Sequence, residues 1–440
     1  MKISFLNTSE QVLKGLQARQ TVTIFLASLL VVSMMVSPFL LSLSMWGLVA
    51  VGFWQGAATC RQTGIVDDLR KVSSWWKILV WSFRNLFRRR ALAFFLLLLL
   101  VPASSFFWSA DHAYWLDRTV KRLPFLVLPW VFANLPQLTG RQMRLVLYVL
   151  IGALTVICLG AAINFMLHFD DVLAGIGRGD PVPVPRSHIR FSLIVATGIV
   201  AGGWLWLDGF FWRWRLERWL LGAALVFLFL FLHVLSVRSG IVGLYVVLIF
   251  SLGWFVWRTR RWGYGFIALF FLILVPIIAV KTIPSFQMRV RYMVWDWQQY
   301  RQNLGNTYSD AERIISLRVG WQLWREHPWL GIGAGDLPAE VQRVVDEQYP
   351  HYKDAPKLPH NQFLYILTGT GIFGLALSLV AFFAPIAQRQ YRQFYLFAAF
   401  QVLAFTSFLV EYTIETAIGV AFYLFYTLWF MKMAEENHER

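Results

Sequence analysis

The sequence predicts an all-α polytopic membrane protein with about twelve transmembrane helices and one large extramembrane segment. Three observations carry that expectation. Of 440 residues, 58% are apolar and only 15% are charged, whereas soluble domains average about 45–50% and about 25%. The apolar residues fall into repeated runs of roughly 20, the length an α-helix needs to cross a hydrocarbon core. The positive charge alternates between successive connections, as membrane orientation requires.

Twelve runs qualify: 21–37, 39–58, 91–109, 123–138, 145–167, 190–207, 219–236, 240–257, 263–281, 361–385, 393–411 and 413–432. The first follows a charged stretch with Lys2, Lys14 and Arg19 and has no small-residue cleavage site, so it reads as a retained helix rather than a signal peptide. Pro102, Pro124, Pro129, Pro276 and Pro385 lie in or beside spans, where neighbouring helices can satisfy the carbonyls they free. With the N-terminus in the cytoplasm, the inner connections hold 23 Lys and Arg. The short outer ones hold seven (Arg118, Lys121, Arg122, Arg178, Arg186, Arg190 and Arg238). An even number of spans puts both termini inside and the long segment 282–360 outside. The chain then divides into residues 1–281 (nine spans and a basic inner loop, 59–90), the outer loop 282–360, and 361–440 (three spans and a tail). Loop 59–90, with Trp75, Trp76 and Trp81 among its basic residues, reads as an interfacial helix on anionic lipid.

The formal net charge of +16 could indicate a nucleic-acid partner. Its distribution argues otherwise. Nearly all of it lies on the inner connections, and segment 282–360 holds nine basic and nine acidic residues. The sequence therefore points to membrane lipids and to no nucleic acid. Two cysteines, Cys60 and Cys158, form neither a disulfide framework nor a metal site. The histidines show no zinc spacing and Asp170-Asp171 is a bare pair, so the default is chemistry without a metal or other cofactor.

The outer segment predicts two helices. One starts at the capping box Ser309-Asp310-Ala311-Glu312 and runs to about His327. The other covers 338–348, with Pro338 at its start. Between them, Gly331, Gly333 and Gly335 resemble a dinucleotide fingerprint only superficially, since no strand precedes them. Alternate glycines here read as a tight backbone path.

Arg238, in Ser236-Val237-Arg238-Ser239-Gly240, sits between two long apolar runs. An arginine there either snorkels to lipid phosphate or faces a polar cavity, where its planar fork suits a phosphate. Arg289 and Arg291 follow the ninth span, and Arg313, Arg318 and Arg325 lie on the first loop helix. The ordinary reading of each is a solvated or salt-bridged charge, but a neutral outer segment gives no general basic coat to explain them. His360 opens the tenth span, and an imidazole titrates near ~6.5, so it can act as a base. The ordinary alternative is a structural histidine at the interface. Glu411 and Glu415 stand at the same face and could pair with an arginine or with His360.

Together these residues resemble the O-antigen ligase and polymerase superfamily of bacterial envelope glycosyltransferases. Ser236-Val237-Arg238-Ser239-Gly240 is similar to the family's Ser-x-x-Arg-Gly/Ser turn. Arg318 and Trp321, followed by Pro328 and Gly331-Ile332-Gly333-Ala334-Gly335, are similar to its Arg-x-x-x-Trp…Pro-x-x-Gly-x-Gly stretch. His360-Asn361 with Phe363-Leu364, then Gly369, Gly371 and Gly374, are similar to its His-Asn-x-x-Leu…Gly…Gly signature. Each motif is weak alone; their order around a long outer loop is specific, over about 236–374.

The resemblance implies a fold of the lipid-facing GT-C glycosyltransferase type in the bacterial inner membrane, with its active site towards the periplasm. The donor would be O-antigen on undecaprenyl diphosphate, the acceptor a sugar hydroxyl of lipid A–core, and the outcome inversion at the anomeric carbon without a metal. It maps the family histidine onto His360 and the essential arginines onto Arg238 and Arg318. Arg313, Arg289, Arg291, Arg186 and Arg190 are further candidates for the diphosphate, with Asn361, Glu411 and Glu415 in support. An O-antigen polymerase or a protein O-oligosaccharyltransferase would share the donor and differ in acceptor. A flippase or transporter for a lipid-linked saccharide belongs to a different class; no internal repeat between the two halves supports it.

Overall fold

The computed structural model describes residues 2–302, 309–349 and 358–439, and among these every regular element is helical. Ten helices are long and apolar enough to cross a membrane, which makes the chain a multi-pass membrane protein. The other two of the twelve expected spans are shorter. Tyr395–Val410 has 16 residues and Pro124–Ala133 has 10, or roughly 24 Å and 15 Å at ~1.5 Å per residue. The expected run 123–138 breaks at Asn134. From there the chain is not helical, with Leu135, Pro136 and Leu138 buried, which a bilayer permits only where protein or water supplies the hydrogen bonds. Asn85 Nδ2 donates to Ala133 O (2.6 Å), and Gln20 Nε2 to Gln137 O (2.7 Å).

The last helix, Ala417–Glu439, is the centre of the bundle. Its spanning window is 83% buried, whereas that of Trp262–Thr282, on the periphery, is 11% buried. Tyr423, Tyr426, Trp429 and Phe430 of the central helix pack with Phe382, Phe400 and Phe408 in a contiguous aromatic core. The basic loop holds the helix Val72–Arg88. Its Ser74, Ile78, Ser82 and Leu86 recur every four residues and are buried, while Trp75 and Trp76 are exposed. Such a one-sided helix fits a membrane interface.

Three further helices were not anticipated: His112–Arg122, Phe169–Arg178 and Pro284–Arg301. All three are too short or too polar to read as spans, and Pro284–Arg301 mixes charge and tryptophan without a clear apolar face. They gather at the end of the bundle where helix Gln362–Ala387 begins. The two anticipated loop helices are present as Ser309–Glu326 and Leu337–Gln348, the latter with proline in its first turn. The capping box at Ser309–Glu312 includes side chains outside those described. These helices enclose a small core of their own, including Ile315, Val319, Leu323, Val341 and Val344, which rests on Tyr365.

The glycine-rich connection between them enters the membrane-spanning helix Gln362–Ala387. At Gly371 (φ 66°, ψ −170°) that helix breaks, in a conformation only glycine adopts readily. An unbroken helix would bond Thr368 O to Ile372 N–H and Gly369 O to Phe373 N–H. Instead Ile332 and Gly333 donate to those two carbonyls (both 3.0 Å), while Ile372 and Phe373 donate to Pro328 O and Trp329 O (2.9 and 3.5 Å). Loop backbone thus replaces two helical hydrogen bonds one for one. The close fit needs a bare backbone: a Cβ on Gly371 would lie 2.1 Å from Trp329 O. Further along, Ala334 and Gly335 donate to Ser105 and Ser109 Oγ (both 3.1 Å). Asp336 accepts from Ala110 and Asp111 N–H (2.8–3.0 Å), tying the loop to the start of His112–Arg122.

Candidate active site

His360 precedes the Gln362–Ala387 helix, and its neighbour sets its place. Asn361 Oδ1 accepts from Leu364 N–H (2.9 Å), capping the helix, while Nδ2 donates to Leu409 O (3.0 Å), two residues before Glu411. The His360 backbone N–H donates to Ser316 Oγ at 3.3 Å. Its imidazole is 8% exposed and lies beside the Tyr412 ring. Nδ1 lies 3.2 Å from Glu411 Oε2, and Glu411 Oε1 takes a hydrogen bond of 2.6 Å from Arg313. Nε2 is buried and has no hydrogen-bond partner. Glu411 stands just after the Tyr395–Val410 helix. Burial works against its ionisation, but the hydrogen bond from His360 and the charges of Arg313 and Arg190 outweigh it, so its pKa falls below the ordinary carboxylate value. An ionised Glu411 accepts from Nδ1, so the neutral imidazole here is the tautomer with its lone pair on Nε2.

His360 lies on the wall of a cavity of about 430 Å³. Arg178, Arg238, Arg289 and Arg313 share that wall with His188, against one carboxylate, Asp180. Two helix starts face the same space, His188–Leu207 and Arg238–Thr259. They run side by side closely enough that a Cβ on Gly240 would sit 2.5 Å from Ser192. The turn that presents Arg238 takes Ser236 through the left-handed region (φ 55°), with Ser236 Oγ bonded to His233 O and Val234 O (both 3.0 Å). Arg289 is fixed by hydrogen bonds to Gly179 O (3.0 Å) and Asp180 O (2.7 Å). Arginine forks and two positive helix ends on one cavity describe a receptor for a multiply charged anion.

Of the residues singled out from the sequence, the structure brings His360, Arg238, Arg289, Arg313 and Glu411 together. Arg190 acts on Glu411 through its charge. Arg318 is exposed and lies over the Tyr300 ring, away from the cavity wall. Arg291 and Arg186 are also exposed and line no part of it, although Arg186 Nε reaches Val36 O at 3.3 Å. Glu415 is buried and ion-paired to Arg122, not to His360. The sequence reading passed over His188 as a site residue and treated Arg178 only as a loop charge. Their one signal was position, since each lies within a dozen residues of Arg190 at the mouth of a span.

Residues 223–379 match the family described as O-Antigen ligase, a stretch that includes Arg238, Arg289, Arg313, the glycine-rich loop and His360. Over that stretch, 157 of the 440 residues, the chain is similar to the O-antigen ligase superfamily. The superfamily holds glycosyltransferase-like ligases and polymerases, and it implies a lipid-linked glycan and a lipid acceptor in the membrane. No curated protein matches the chain. The superfamily stretch holds the histidine and the three arginines. The carboxylate that orients the histidine, Glu411, lies beyond it, as do His188 and the 178–181 wall.

Proposed function

We propose that this chain is an O-antigen ligase of the bacterial inner membrane. It moves a glycan from undecaprenyl diphosphate to a sugar hydroxyl of lipid A–core on the periplasmic face. The observation that carries this reading is the setting of His360: it is on the wall of an arginine-lined cavity, one nitrogen is held by an ionised carboxylate, and the other is buried without a partner. In the transfer, His360 Nε2 accepts the proton of the acceptor hydroxyl as its oxygen attacks the anomeric carbon. The bond from that carbon to the diphosphate oxygen breaks, and negative charge grows on the leaving diphosphate. Arg238, Arg289 and Arg313, with the two helix N-termini, stabilise that charge in place. Attack opposite the leaving group inverts the anomeric carbon. Arg318, expected from the motif to join this clamp, is replaced in it by Arg313.

Polymerase and protein glycosylation would use the same donor half, so the acceptor decides. The test is deletion of the gene in a strain that carries O-antigen. For a ligase, the lipopolysaccharide ladder disappears and lipid-linked O-antigen accumulates at the periplasmic leaflet. Accumulation on the cytoplasmic leaflet would identify a flippase. Capping by single repeats would identify a polymerase, and an intact ladder with lost protein glycans a protein glycosyltransferase.

A further inference from the structure

A second cavity, of about 370 Å³, lies at the other end of helix Arg238–Thr259. Arg238 is on the wall of the His360 cavity, and 22 helical residues rise roughly 33 Å, so the two cavities sit at opposite faces of the bundle. This slot runs between Arg238–Thr259 and the peripheral helix Trp262–Thr282. Leu252, Val256, Phe266 and Leu269 wall it, and Trp257, Trp262 and Arg260 stand at its mouth.

Two glycines shape it. The helices are pinned at Gly265, where an added Cβ would lie 2.6 Å from Val256 Cγ2; at Gly253 an added Cβ would meet nothing within 4 Å. The arginines at the mouth supply the second observation. Arg258, Arg260 and Arg261 are all exposed, and between residues 218 and 295 there is no Asp or Glu. Among the described residues none of the three forms an ion pair; Arg258 lies over Trp254 (5.2 Å) and Arg261 over Tyr264 (6.0 Å). Arg260, in the left-handed region at φ 57°, turns the chain between the two helices and is the arginine that lines the slot, with Arg258 and Arg261 beside it in the chain. An apolar slot rimmed by tryptophan and uncompensated arginine matches the two halves of an acidic lipid.

We propose that this slot binds an anionic glycerophospholipid from the leaflet opposite the His360 cavity. An acyl chain fills the groove beside Gly253, and the phosphate sits at Arg260. The site is independent of the transfer reaction and of its acceptor.

To test it, the full-length protein is reconstituted in vesicles of equal phosphatidylglycerol and phosphatidylethanolamine and re-extracted gently. Co-purifying lipid is then quantified by mass spectrometry. The wild type retains phosphatidylglycerol in excess, and Arg260→Gln lowers that excess by about fivefold. Gly253→Leu, which fills the slot without a clash, lowers bound phosphatidylglycerol while the melting temperature holds. The proposal is overturned by equal retention of the two lipids by the wild type, or by an excess that survives Arg258→Gln/Arg260→Gln/Arg261→Gln. Bound lipid unchanged in Gly253→Leu also overturns it, as does displacement of phosphatidylglycerol by added polyprenyl phosphate, which would make the slot a polyprenyl site.

Discussion

Glu411 and Glu415 stand four residues apart in the short connection before the central helix, and each holds two partners. Glu411 joins His360 to Arg313; Glu415 joins Gln362 (2.7 Å) to Arg122. The two networks are built alike, from one group at the start of helix Gln362–Ala387 and one arginine from an extramembrane helix. They differ in what lies beyond. On the Glu411 side, His360 and Arg313 are both part of the cavity wall, and His360 Nε2 is buried without a hydrogen-bond partner. On the Glu415 side, Arg122 and Glu415 are 5% and 1% exposed, and Gln362 Oε1 is occupied by Ile414 N–H (3.0 Å). Arg118 also ties off the Glu415 carbonyl, at 3.0 Å. An open network can do chemistry; a sealed one can only hold shape. In the proposed reaction Glu411 acts through His360, while Glu415 keeps the connection that carries Glu411 in register.

Mutation can separate the two. His360→Ala removes the base and lowers transfer by about 10²–10⁴-fold with the melting temperature unchanged. Near-normal ligation by this variant in a ligase-null strain would sink the assignment. Arg122→Met leaves the buried Glu415 charge unpaired and lowers stability by about 3–5 kcal/mol, read as a drop in thermal unfolding, while activity per folded molecule stays close to wild type. Glu411→Gln should do the reverse, cutting kcat and altering the pH profile at little cost in unfolding temperature. If both variants failed in the same way, the distinction between the sites would fall. Arg313→Lys keeps charge but loses the fork, and transfer falls about tenfold, whereas Arg318→Lys stays near wild type; equal losses would return Arg318 to the clamp. The smallest effect is in pH. Because the Glu411 carboxyl is held below its ordinary value of 4.5, its ionised network stabilises the fold fully above that pH. The contribution is lost as pH falls through the depressed native value. The difference in melting temperature between wild type and Glu411→Gln should be constant above about pH 4.5 and shrink below it.

Hydropathy alone located ten spanning helices, because length and apolarity are local properties, but it started the first at 21 although the helix covers Lys2–Val36, and it ended the last at 432 although the helix runs to Glu439. It overran at 123–138, where Asn134 halts the helix and side chains from distant segments satisfy the backbone. The helices Phe169–Arg178 and Pro284–Arg301 stayed invisible because short or mixed-face helices are fixed by the surfaces they cover. Motif and position singled out His360 and Arg238, and the structure places both on one cavity wall. The pairing of Arg122 with Glu415 spans 293 residues and leaves no periodic trace. The exchange of Arg318 for Arg313 has a similar cause. Both lie on Ser309–Glu326, and its orientation is set by packing on Tyr365 and the glycine-rich loop rather than by any feature of its own sequence.

The break at Gly371 also constrains how the protein is made. The loop that repairs the helix, residues 328–333, precedes it in the chain and lies outside the spanning runs. During membrane insertion, Thr368 and Gly369 carbonyls enter the bilayer without the amides that will bond them, and each orphan costs several kcal/mol there. Insertion of this helix and docking of the loop therefore form one step of biogenesis. His360, eleven residues before the break, reaches its final place only when the extramembrane segment has folded.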